Sequence, residues 1–194
     1  MRHDLVLDGR VFRLRPVALA DAAFIADLRS SQSERLKYVH KVEKNPATQE
    51  AWLKSYFDRQ GDYYWIVERR AHSSPEGMIS LYELNENSRT AEWGRWVLRE
   101  GSLAAVESAM LVYSAAFDAL DLHSTYCLTV AANAGVVSFH DSSGATREEV
   151  LENHFTLEGE RFDAVRHRVT RQTYPQVKER LDRLSAMIAS KIGS

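Results

Sequence analysis

Cysteine is almost absent from this sequence, and so are long runs of apolar residues. The 194 residues include one cysteine, Cys127, which excludes an intrachain disulfide, a cysteine-based zinc site and a CxxC redox pair. No stretch approaches the roughly 18 uninterrupted apolar residues of a membrane-spanning helix, and the charged N-terminal residues do not resemble a signal peptide. We therefore expect a soluble, cytoplasmic protein that does not contact a membrane.

An excess of positive charge is lacking as well. The chain carries 25 Lys and Arg against 27 Asp and Glu, a formal net charge of −2, which removes the electrostatic pattern expected of a nucleic-acid-binding protein. The seven histidines form no HxxxH or HExxH pair, so we expect no metal site. With 44% apolar and 27% charged residues, the composition is typical of one globular domain with a sizeable core.

The order of the predicted elements indicates an α+β fold around a mixed sheet. Apolar spacing and caps predict helices at 19–28, 46–61, 102–120, 133–143 and from about 173 onward. Aromatic and β-branched runs predict strands at 9–16, 63–68, 78–82, 91–98 and 126–130, turns at 73–77 and 85–88, and a hairpin around 158–159. Because a strand–helix–strand unit needs a right-handed crossover, the two strands within 91–131 should be parallel.

A turn of small residues before the long amphipathic helix at 102–120 is a candidate phosphate site. The turn runs from Arg99 to Ala104, and the helix begins near Ser102. Main-chain N–H groups at a helix N-terminus, together with the helix dipole, attract phosphate. The small side chains of Ala104 and Ala105 allow close approach, and Arg99 adds positive charge. A plain turn capped by Ser102 explains the same pattern, and spacing alone leaves both interpretations open.

A second motif lies farther along the chain. The segment from Asn133 to Gly144, Asn-Ala-Gly-Val-Val-Ser-Phe-His-Asp-Ser-Ser-Gly, resembles the motif that closes the cofactor site in the GNAT family of acyltransferases. Val136, Phe139 and His140 stand at the small, Leu and Tyr positions of that motif. His140 therefore takes the place of a tyrosine that, in many members of the family, protonates the departing thiolate.

The turn before the long helix is similar to the family's pyrophosphate loop, Arg/Gln-x-x-Gly-x-Gly/Ala. Here the loop has the form Arg99-x-x-Ser102-x-Ala104, so a serine replaces a glycine. The resemblance covers about residues 11–170 and includes the Glu92-Trp-Gly strand. It implies a mixed, mostly antiparallel sheet flanked by helices, an acyl-CoA N-acyltransferase domain over 1–172, and a C-terminal helical extension over 173–194.

The resemblance also implies an enzyme that uses acetyl-CoA as its acyl donor. The residues expected to bind this donor are Trp96, Val97, Leu98, Arg99, Gly101, Ser102, Leu103, Ala104, Ala105, Asn133, Ser138 and Phe139. In such a transferase an amine attacks the thioester directly, and binding both substrates side by side supplies much of the rate.

Two side chains are candidates for the proton transfers of this reaction. Glu92 would take a proton from the amine through a water molecule, and His140 would return a proton to the thiolate as an imidazolium, with Ser138 as a second donor. A main-chain N–H near Val97 or Leu98 would stabilise the carbonyl oxygen as it becomes negatively charged.

Each candidate also has a structural interpretation that the sequence leaves open. Glu92 is equally typical of an outward-facing strand residue that pairs with an arginine, and His140 of a helix residue bonded to a carbonyl. Cys127 lies within an apolar strand, where we expect a buried small hydrophobe and not a nucleophile. His154, before the terminal hairpin, is expected to be structural.

The pattern resembles two branches of the family, through the Glu-Trp-Gly-Arg-Trp strand at 92–96, the Phe-His pair at 139–140 and the Asp-Ala-Val strand at 163–165. One acetylates 4-amino sugars attached to a nucleotide, and the other acetylates protein N-termini. We predict a small-molecule amine acceptor, specifically a nucleotide-linked amino sugar, with the protein N-terminus as the alternative. Trp96 or Tyr82 would stack on its sugar or base, and an acceptor loop is expected at 29–45, with Arg29, Tyr38 and His40.

Two further classes stay open at this stage. A chain that keeps the fold but has lost catalysis would be an acyl-CoA-binding module, which the serine at position 102 and the histidine at position 140 would suit. A scaffold would act through the C-terminal helix. The apolar stripe of that helix packs on the sheet or pairs with a second copy, so a homodimer is an open prediction.

Overall fold

The computed structural model describes residues 1–31, 37–39 and 44–192, and eight strands in these ranges form one sheet. In chain order the strands are β1 Leu7–Asp8, β2 Phe12–Pro16, β3 Tyr63–Arg69, β4 Ser74–Asn85, β5 Thr90–Leu98, β6 Ser124–Val130, β7 Thr146–Leu157 and β8 Glu160–Thr170. The α-helices of the described residues are α1 Ala22–Ser30, α2 Pro46–Tyr56, α3 Ala105–Ser114, α4 Ala134–Ser143 and α5 Tyr174–Ile192.

The sheet has the strand order β1-β2-β3-β4-β5-β6-β8-β7. Neighbouring strands are antiparallel except β5 and β6, which run parallel. The predicted mixed, mostly antiparallel sheet is therefore confirmed, as is the parallel pair expected from the crossover. Since α3 makes that crossover, its N-terminus lies beyond the carboxyl end of β5.

Local signals in the sequence set two of the helix ends as predicted. The side chain of Asn45 accepts hydrogen bonds from the N–H groups of Ala47 at 3.0 Å and Thr48 at 3.3 Å, and Pro46 occupies the first helical position of α2. Gly144 ends α4 in the left-handed conformation, with φ of 92°.

The turn predicted at 73–77 is wrong, because β4 already begins at Ser74. Gly77 and Pro75 suggested a turn, yet both lie within the strand. A Cβ atom on Gly77 would lie 2.4 Å from the carbonyl oxygen of Val97. The glycine is therefore needed for the close approach of β4 to β5, which a sequence pattern cannot distinguish from a turn.

Three other predicted boundaries also differ from the structure. Gly9 lies in the turn between β1 and β2 and not at the start of a strand, and α2 ends at Tyr56 instead of residue 61. The helix predicted to continue to Leu120 leaves α geometry after Ser114. The next five residues, Ala115–Ala119, form a π-helical turn, in which the N–H of Leu120 binds the carbonyl of Ala115 at 2.9 Å.

The core has two parts, one on each face of the sheet. Trp65 and Trp93 belong to the part that also contains the apolar residues of α3 and α5. Ile25, Leu53 and Tyr64 belong to the other part, beneath α1 and α2. The strands in the middle of the sheet are thus covered on both faces, as their continuous apolar character requires.

The stripe of α5 packs against its own chain. Val177 and Leu181 are fully buried in the core that α3 shares, whereas Leu184 and Met187 are exposed by 40% and 60%. Of the two expected placements, the structure therefore shows packing within the chain. The contacts of α5 are with α3 as well as with the sheet. Homodimerisation stays a prediction.

Candidate active site

Two neighbouring strands separate at the centre of the sheet. β5 pairs with β4 as far as Leu98, but it pairs with β6 only from Thr90 to Glu92. Beyond Glu92 the two strands diverge, and a cavity of about 500 Å³ lies there. The residues of β5 and β6 that line it are Glu92, Trp93, Gly94, Arg95, Trp96, Val97, Cys127, Leu128, Thr129 and Val130. An extended ligand can bind the main-chain groups of such an open strand edge.

A bulge in β5 shapes the wall of this cavity. Ser80 of β4 pairs with Gly94 and Met78 pairs with Val97, so β5 has one residue more than β4 over this span. Arg95, within the bulge, has a positive φ of 47°. A Cβ atom on Gly94 would lie 2.7 Å from the hydroxyl of Tyr82, so glycine leaves room there for the tyrosine ring.

Glu92 lies at the point where the strands part. It is half-buried, it lines the cavity, and the hydroxyl of Tyr82 directly across on β4 donates a 2.7 Å hydrogen bond to it. Burial raises the pKa of the Glu92 carboxyl, although the bond from Tyr82 acts in the opposite direction. The side chain therefore faces the cavity and not the solvent, and its pKa is shifted toward the range useful for a general base.

His140 projects from α4 into the opposite wall, where it is buried. Its ring nitrogens lie 3.5 and 3.7 Å from the Sγ of Cys127, and its ring centroid lies 5.2 Å from that of His167. Burial lowers the pKa of His140 to about 3, so the imidazole is neutral at neutral pH. The expected imidazolium is thus wrong, because the protein surrounds the ring with apolar and aromatic groups. A neutral ring still carries one N–H donor.

Cys127 is buried beside this ring. Burial raises the pKa of its thiol well above the usual range, so the thiol stays protonated at neutral pH. This environment agrees with the expectation of a buried hydrophobe.

The N-terminus of α3 offers unpaired main-chain donors. Ala104 precedes the helix, and the Oγ of Ser102 accepts a 3.2 Å hydrogen bond from its N–H. The helical bond from the N–H of Ser108 to the carbonyl of Ala104 spans 2.8 Å, so the three N–H groups before Ser108 have no helical acceptor. Gly101 has φ of 76°, and no atom of the described residues other than its chain neighbours lies within 4 Å of a Cβ placed on it. Open space and free donors together suit a phosphate.

Two buried contacts fix this helix end in place. The indole N–H of Trp96 donates to the Oγ of Ser108 at 3.0 Å, which joins β5 to the first turn of α3. The carboxylate of Glu107 accepts from the N–H groups of Arg10 and Val11 in the turn before β2 and from that of Phe12, the first residue of β2. Sequence reasoning missed Glu107, whose one signal is an acidic residue in the first turn of a helix.

The other predicted donor-binding residues differ in their positions: some line the cavity or pack on an aromatic ring, and others face outward. Trp96, Val97 and Asn133 line the cavity. Phe139 packs on the Trp96 ring at 5.2 Å between centroids, and the guanidinium of Arg99 lies over the ring of Phe24 at 5.0 Å.

Ser138 and Leu103 face outward. Ser138 is exposed on α4 and is not among the described residues that line the cavity, so the structure does not bring it to the site as a proton donor. Leu103 is exposed by 48%, next to the buried Ala104. His154 is exposed and lies within β7, so it is part of the terminal hairpin and does not precede it.

The far end of the cavity is lined by arginines and aromatic rings. Arg29, Tyr38, Trp52 and Tyr64 lie there with Arg95. This group contains two of the residues expected in the acceptor loop, while the third, His40, lies outside the described residues. Phe155 and Leu157 from β7 also line the cavity.

A comparison with protein families identifies the class. The family model described as the acetyltransferase (GNAT) domain matches residues 12–146, which is most of the chain. The protein therefore belongs to the GNAT family of acetyltransferases, as the two motifs indicated. It is an acyl-CoA-dependent N-acyltransferase, and the acyl donor of this family is acetyl-CoA.

Several known proteins are similar over most of the chain. The spermidine N(1)-acetyltransferase of Escherichia coli K12 is 22% identical over 167 residues, which cover 79% of this chain and 90% of the relative. A solved structure titled as FdhC, a nucleotide-linked sugar GNAT, is 29% identical with a TM-score of 0.75, covering 91% of this chain and 96% of that one. A GCN5-related N-acetyltransferase from Brucella melitensis shares the fold, with a TM-score of 0.82 at 19% identity and coverage of 95% and 86%.

The gap between the diverging strands β5 and β6, together with the turn before α3, fits acetyl-CoA, the donor that the family uses. The diverging edge of β5, the open space at Gly101 and the N–H groups at the start of α3 lie in the order that an extended acyl-CoA arm followed by a diphosphate requires. A small-molecule amine acceptor is consistent with the family and with the spermidine acetyltransferase relative. Among the described residues, no helix combines the length and the apolar character needed to cross a bilayer.

Proposed function

We propose that this protein transfers an acetyl group from acetyl-CoA to the amino group of a nucleotide-linked amino sugar. The observation that carries the proposal is the position of Glu92, a half-buried carboxyl in the cavity wall where β5 and β6 part. The similarity to a nucleotide-linked sugar GNAT, at 29% identity over 91% of the chain, supports the choice of acceptor.

The protein would bind the donor through its main chain at two places. The N–H groups at the start of α3, with Gly101 and Ser102 before them, hold the diphosphate. The N–H of Arg99 binds the carbonyl of Glu76 on β4 at 2.8 Å, and successive N–H groups of a strand point to opposite sides. The N–H of Leu98 therefore points into the gap, and of the two predicted oxyanion donors it is the better placed.

Acetyl-CoA supplies the activated acetyl group, and Glu92 prepares the amine. Its carboxylate accepts the proton of the ammonium group through a water molecule, which leaves a lone pair free for the attack. The raised pKa makes this carboxylate a stronger base than an exposed glutamate. Tyr82 holds the carboxylate in one orientation through its hydroxyl.

His140 would stabilise the departing thiolate as a neutral hydrogen-bond donor. One N–H of the imidazole remains at neutral pH, and the ring lines the cavity beside Cys127. A thiol with a pKa around 8.5 is a fair leaving group, so the contribution of His140 to the rate is small.

Spermidine is a second candidate acceptor, because the E. coli relative at 22% identity acts on it. A screen for coenzyme A release separates the possibilities. The substrates are UDP- and dTDP-linked 4-amino-4,6-dideoxyglucose, spermidine and peptides with free N-termini. We expect turnover with a nucleotide-linked sugar. Turnover with peptides alone would select acetylation of protein N-termini, and no turnover with a rise in melting temperature on adding acetyl-CoA would select a binding module.

A further inference from the structure

Arginines gather around one buried carboxylate at the acceptor end of the cavity. Arg95 donates from Nη1 and Nη2 to the two oxygens of Asp62 at 2.7 and 3.0 Å, and Asp62 is buried. The guanidinium of Arg59 lies 3.9 Å from the same carboxylate. Arg29 also lines the cavity. Burial lowers the pKa of its guanidinium, and the positive charge of Arg95 lowers it further. Arg95 and Arg59 therefore bring two positive groups to this one carboxylate.

The bulge of β5 aims Arg95 at this place. Its backbone has the left-handed φ of 47°, and its guanidinium lies 4.4 Å from the ring centroid of Tyr82. The hydroxyl of the same tyrosine binds Glu92. The guanidinium of Arg95 therefore lies over the face of the ring whose hydroxyl holds the carboxylate of Glu92, and all three side chains line the cavity.

We propose that Arg95 and Arg29 bind the diphosphate of the acceptor and so select anionic amines over polycationic ones. This inference rests on the proposed function, because Glu92 must mark where the amine reacts. In a 4-amino hexose joined to a nucleotide through C1, the amine and the diphosphate lie at opposite ends of one six-membered ring. Tyr82 likewise holds Glu92 and Arg95 at two different places, the carboxylate at its hydroxyl and the guanidinium over its ring.

The guanidinium of Arg95 has donors left for this purpose. Asp62 occupies one edge of the planar fork, and the remaining N–H groups can bind phosphate oxygens, whose geometry suits arginine. Asp62 acts as a positioning residue that holds the fork still. A polyamine would bring additional positive charge to the same place, and like charges in a half-buried site are unfavourable.

A purely structural role for the Arg95–Asp62 pair predicts different behaviour. If the pair only stabilises the bulge, its loss would affect every acceptor equally. Phosphate binding instead requires that the loss depend on the diphosphate. The decisive quantity is therefore the difference between an amino sugar with the nucleotide diphosphate and the same amino sugar without it.

The test compares Arg95→Gln, Arg95→Lys and Arg29→Gln with the natural protein. The acceptors are UDP- and dTDP-linked 4-amino-4,6-dideoxyglucose, free 4-amino-4,6-dideoxyglucose and spermidine. For the nucleotide-linked sugars we expect Arg95→Gln to raise KM by about 10- to 100-fold, as the loss of a charged hydrogen bond does. The KM for the free sugar and for acetyl-CoA should change less than about threefold, and Arg95→Lys should recover part of the loss.

Arg69→Gln is the matched control. Arg69 pairs with Glu76 at 2.7 Å, its side chain is exposed by 25% against 28% for Arg95, and it does not line the cavity. This variant should leave the KM for every acceptor unchanged. Calorimetric titration with UDP, which needs no turnover, should show binding to the natural protein that Arg95→Gln weakens.

Two results would overturn the inference. One is an equal rise in KM for the linked and the free sugar in Arg95→Gln. The other is that the natural protein has the same kcat/KM for spermidine or the free sugar as for the linked sugar. This result would contradict the diphosphate site but not the acetyltransferase activity. A natural protein that acetylates no amine, and whose affinity for UDP is the same as that of Arg95→Gln, overturns the proposed function and this inference together.

Discussion

The proposed donor site and the proposed acceptor site are built from different kinds of chemical groups. At the proposed donor site the groups are main-chain: the open edge of β5, the turn around Gly101 and the start of α3. At the proposed acceptor site they are side chains from several separate elements, such as Trp52 on α2, Tyr82 on β4 and Arg95 on β5. Main-chain donors suit a ligand that a whole family shares, whereas side chains can change the acceptor without changing the fold.

Glu92→Gln gives the largest expected effect, because this carboxyl is the proposed general base. We expect kcat to fall by about 10²- to 10⁴-fold, as for the loss of a general base, while the affinity for acetyl-CoA stays nearly constant. In the natural protein, kcat should fall as the pH drops through the raised pKa of Glu92, since protonation removes the base. Steady-state rates as a function of pH measure both effects.

The matched control for this variant is Glu76→Gln. Glu76 is also a partly buried strand glutamate, but it pairs with Arg69 away from the cavity. Its replacement should leave kcat unchanged. An unchanged kcat in Glu92→Gln would remove Glu92 from the mechanism.

Ser102→Asp tests the donor end. A carboxylate at this position would cap the N–H groups of α3 and repel a diphosphate, so we expect the KM for acetyl-CoA to rise by about 10- to 100-fold. The melting temperature should hold or increase, because an acidic residue favours a helix N-terminus. Ser102→Asn caps without charge, and it should raise KM far less. If the aspartate leaves KM unchanged, the diphosphate is bound elsewhere.

Glu107→Gln tests how the donor end is held in place. The carboxylate accepts from three consecutive N–H groups at the start of β2, and a neutral amide would replace a charge-assisted acceptor by a weaker one. We expect a loss of about 1–2 kcal/mol in the free energy of unfolding. Urea denaturation measures it.

Glu179→Gln is the control for this loss. Glu179 forms an exposed pair with Arg183 one turn away on α5, and such pairs contribute a few tenths of a kcal/mol. Equal stability of the two variants would show that the buried carboxylate does not stabilise the start of α3.

His140→Phe gives the smallest expected effect on the rate, about tenfold or less, because the ring is a neutral donor to a fair leaving group. Its pKa is about 3 in the fold against 6.5 for an ordinary histidine, so the unfolded chain binds a proton there that the folded chain does not. This difference destabilises the natural protein as the pH falls from 6.5 toward 3. The phenylalanine variant should lose less stability over that range.

The exposed His154 is the control, and His154→Phe should keep the acid sensitivity of the natural protein. A phenylalanine at position 140 that abolishes acetyl-CoA binding would instead mean that His140 shapes the donor site.

The contrast between the two ends also explains what the sequence could predict. Asn45 and Gly144 act on neighbouring residues, so their caps were predictable, and the crossover rule predicted the parallel strands. Two motifs of fixed spacing, around Ser102 and Asn133, predicted the family, which the family comparison confirmed. These features depend on local chemistry or on chain topology.

The remainder depends on contacts between residues far apart in the chain. Arg95 and Asp62 are 33 residues apart, and Glu107 and Val11 are 96 apart, so neither pair leaves a local pattern. Gly77 looked like a turn because the close approach of Val97 is invisible before the strands pair. The pKa of His140 depends on burial, which the position of the residue in its motif does not give.

A crystal structure with coenzyme A and UDP-linked 4-amino-4,6-dideoxyglucose tests the account most directly. It should show the diphosphate of coenzyme A within about 3 Å of the first N–H groups of α3, its thiol between β5 and β6, and the sugar amine facing Glu92. Coenzyme A bound outside this gap, or an amine far from Glu92, would contradict the account.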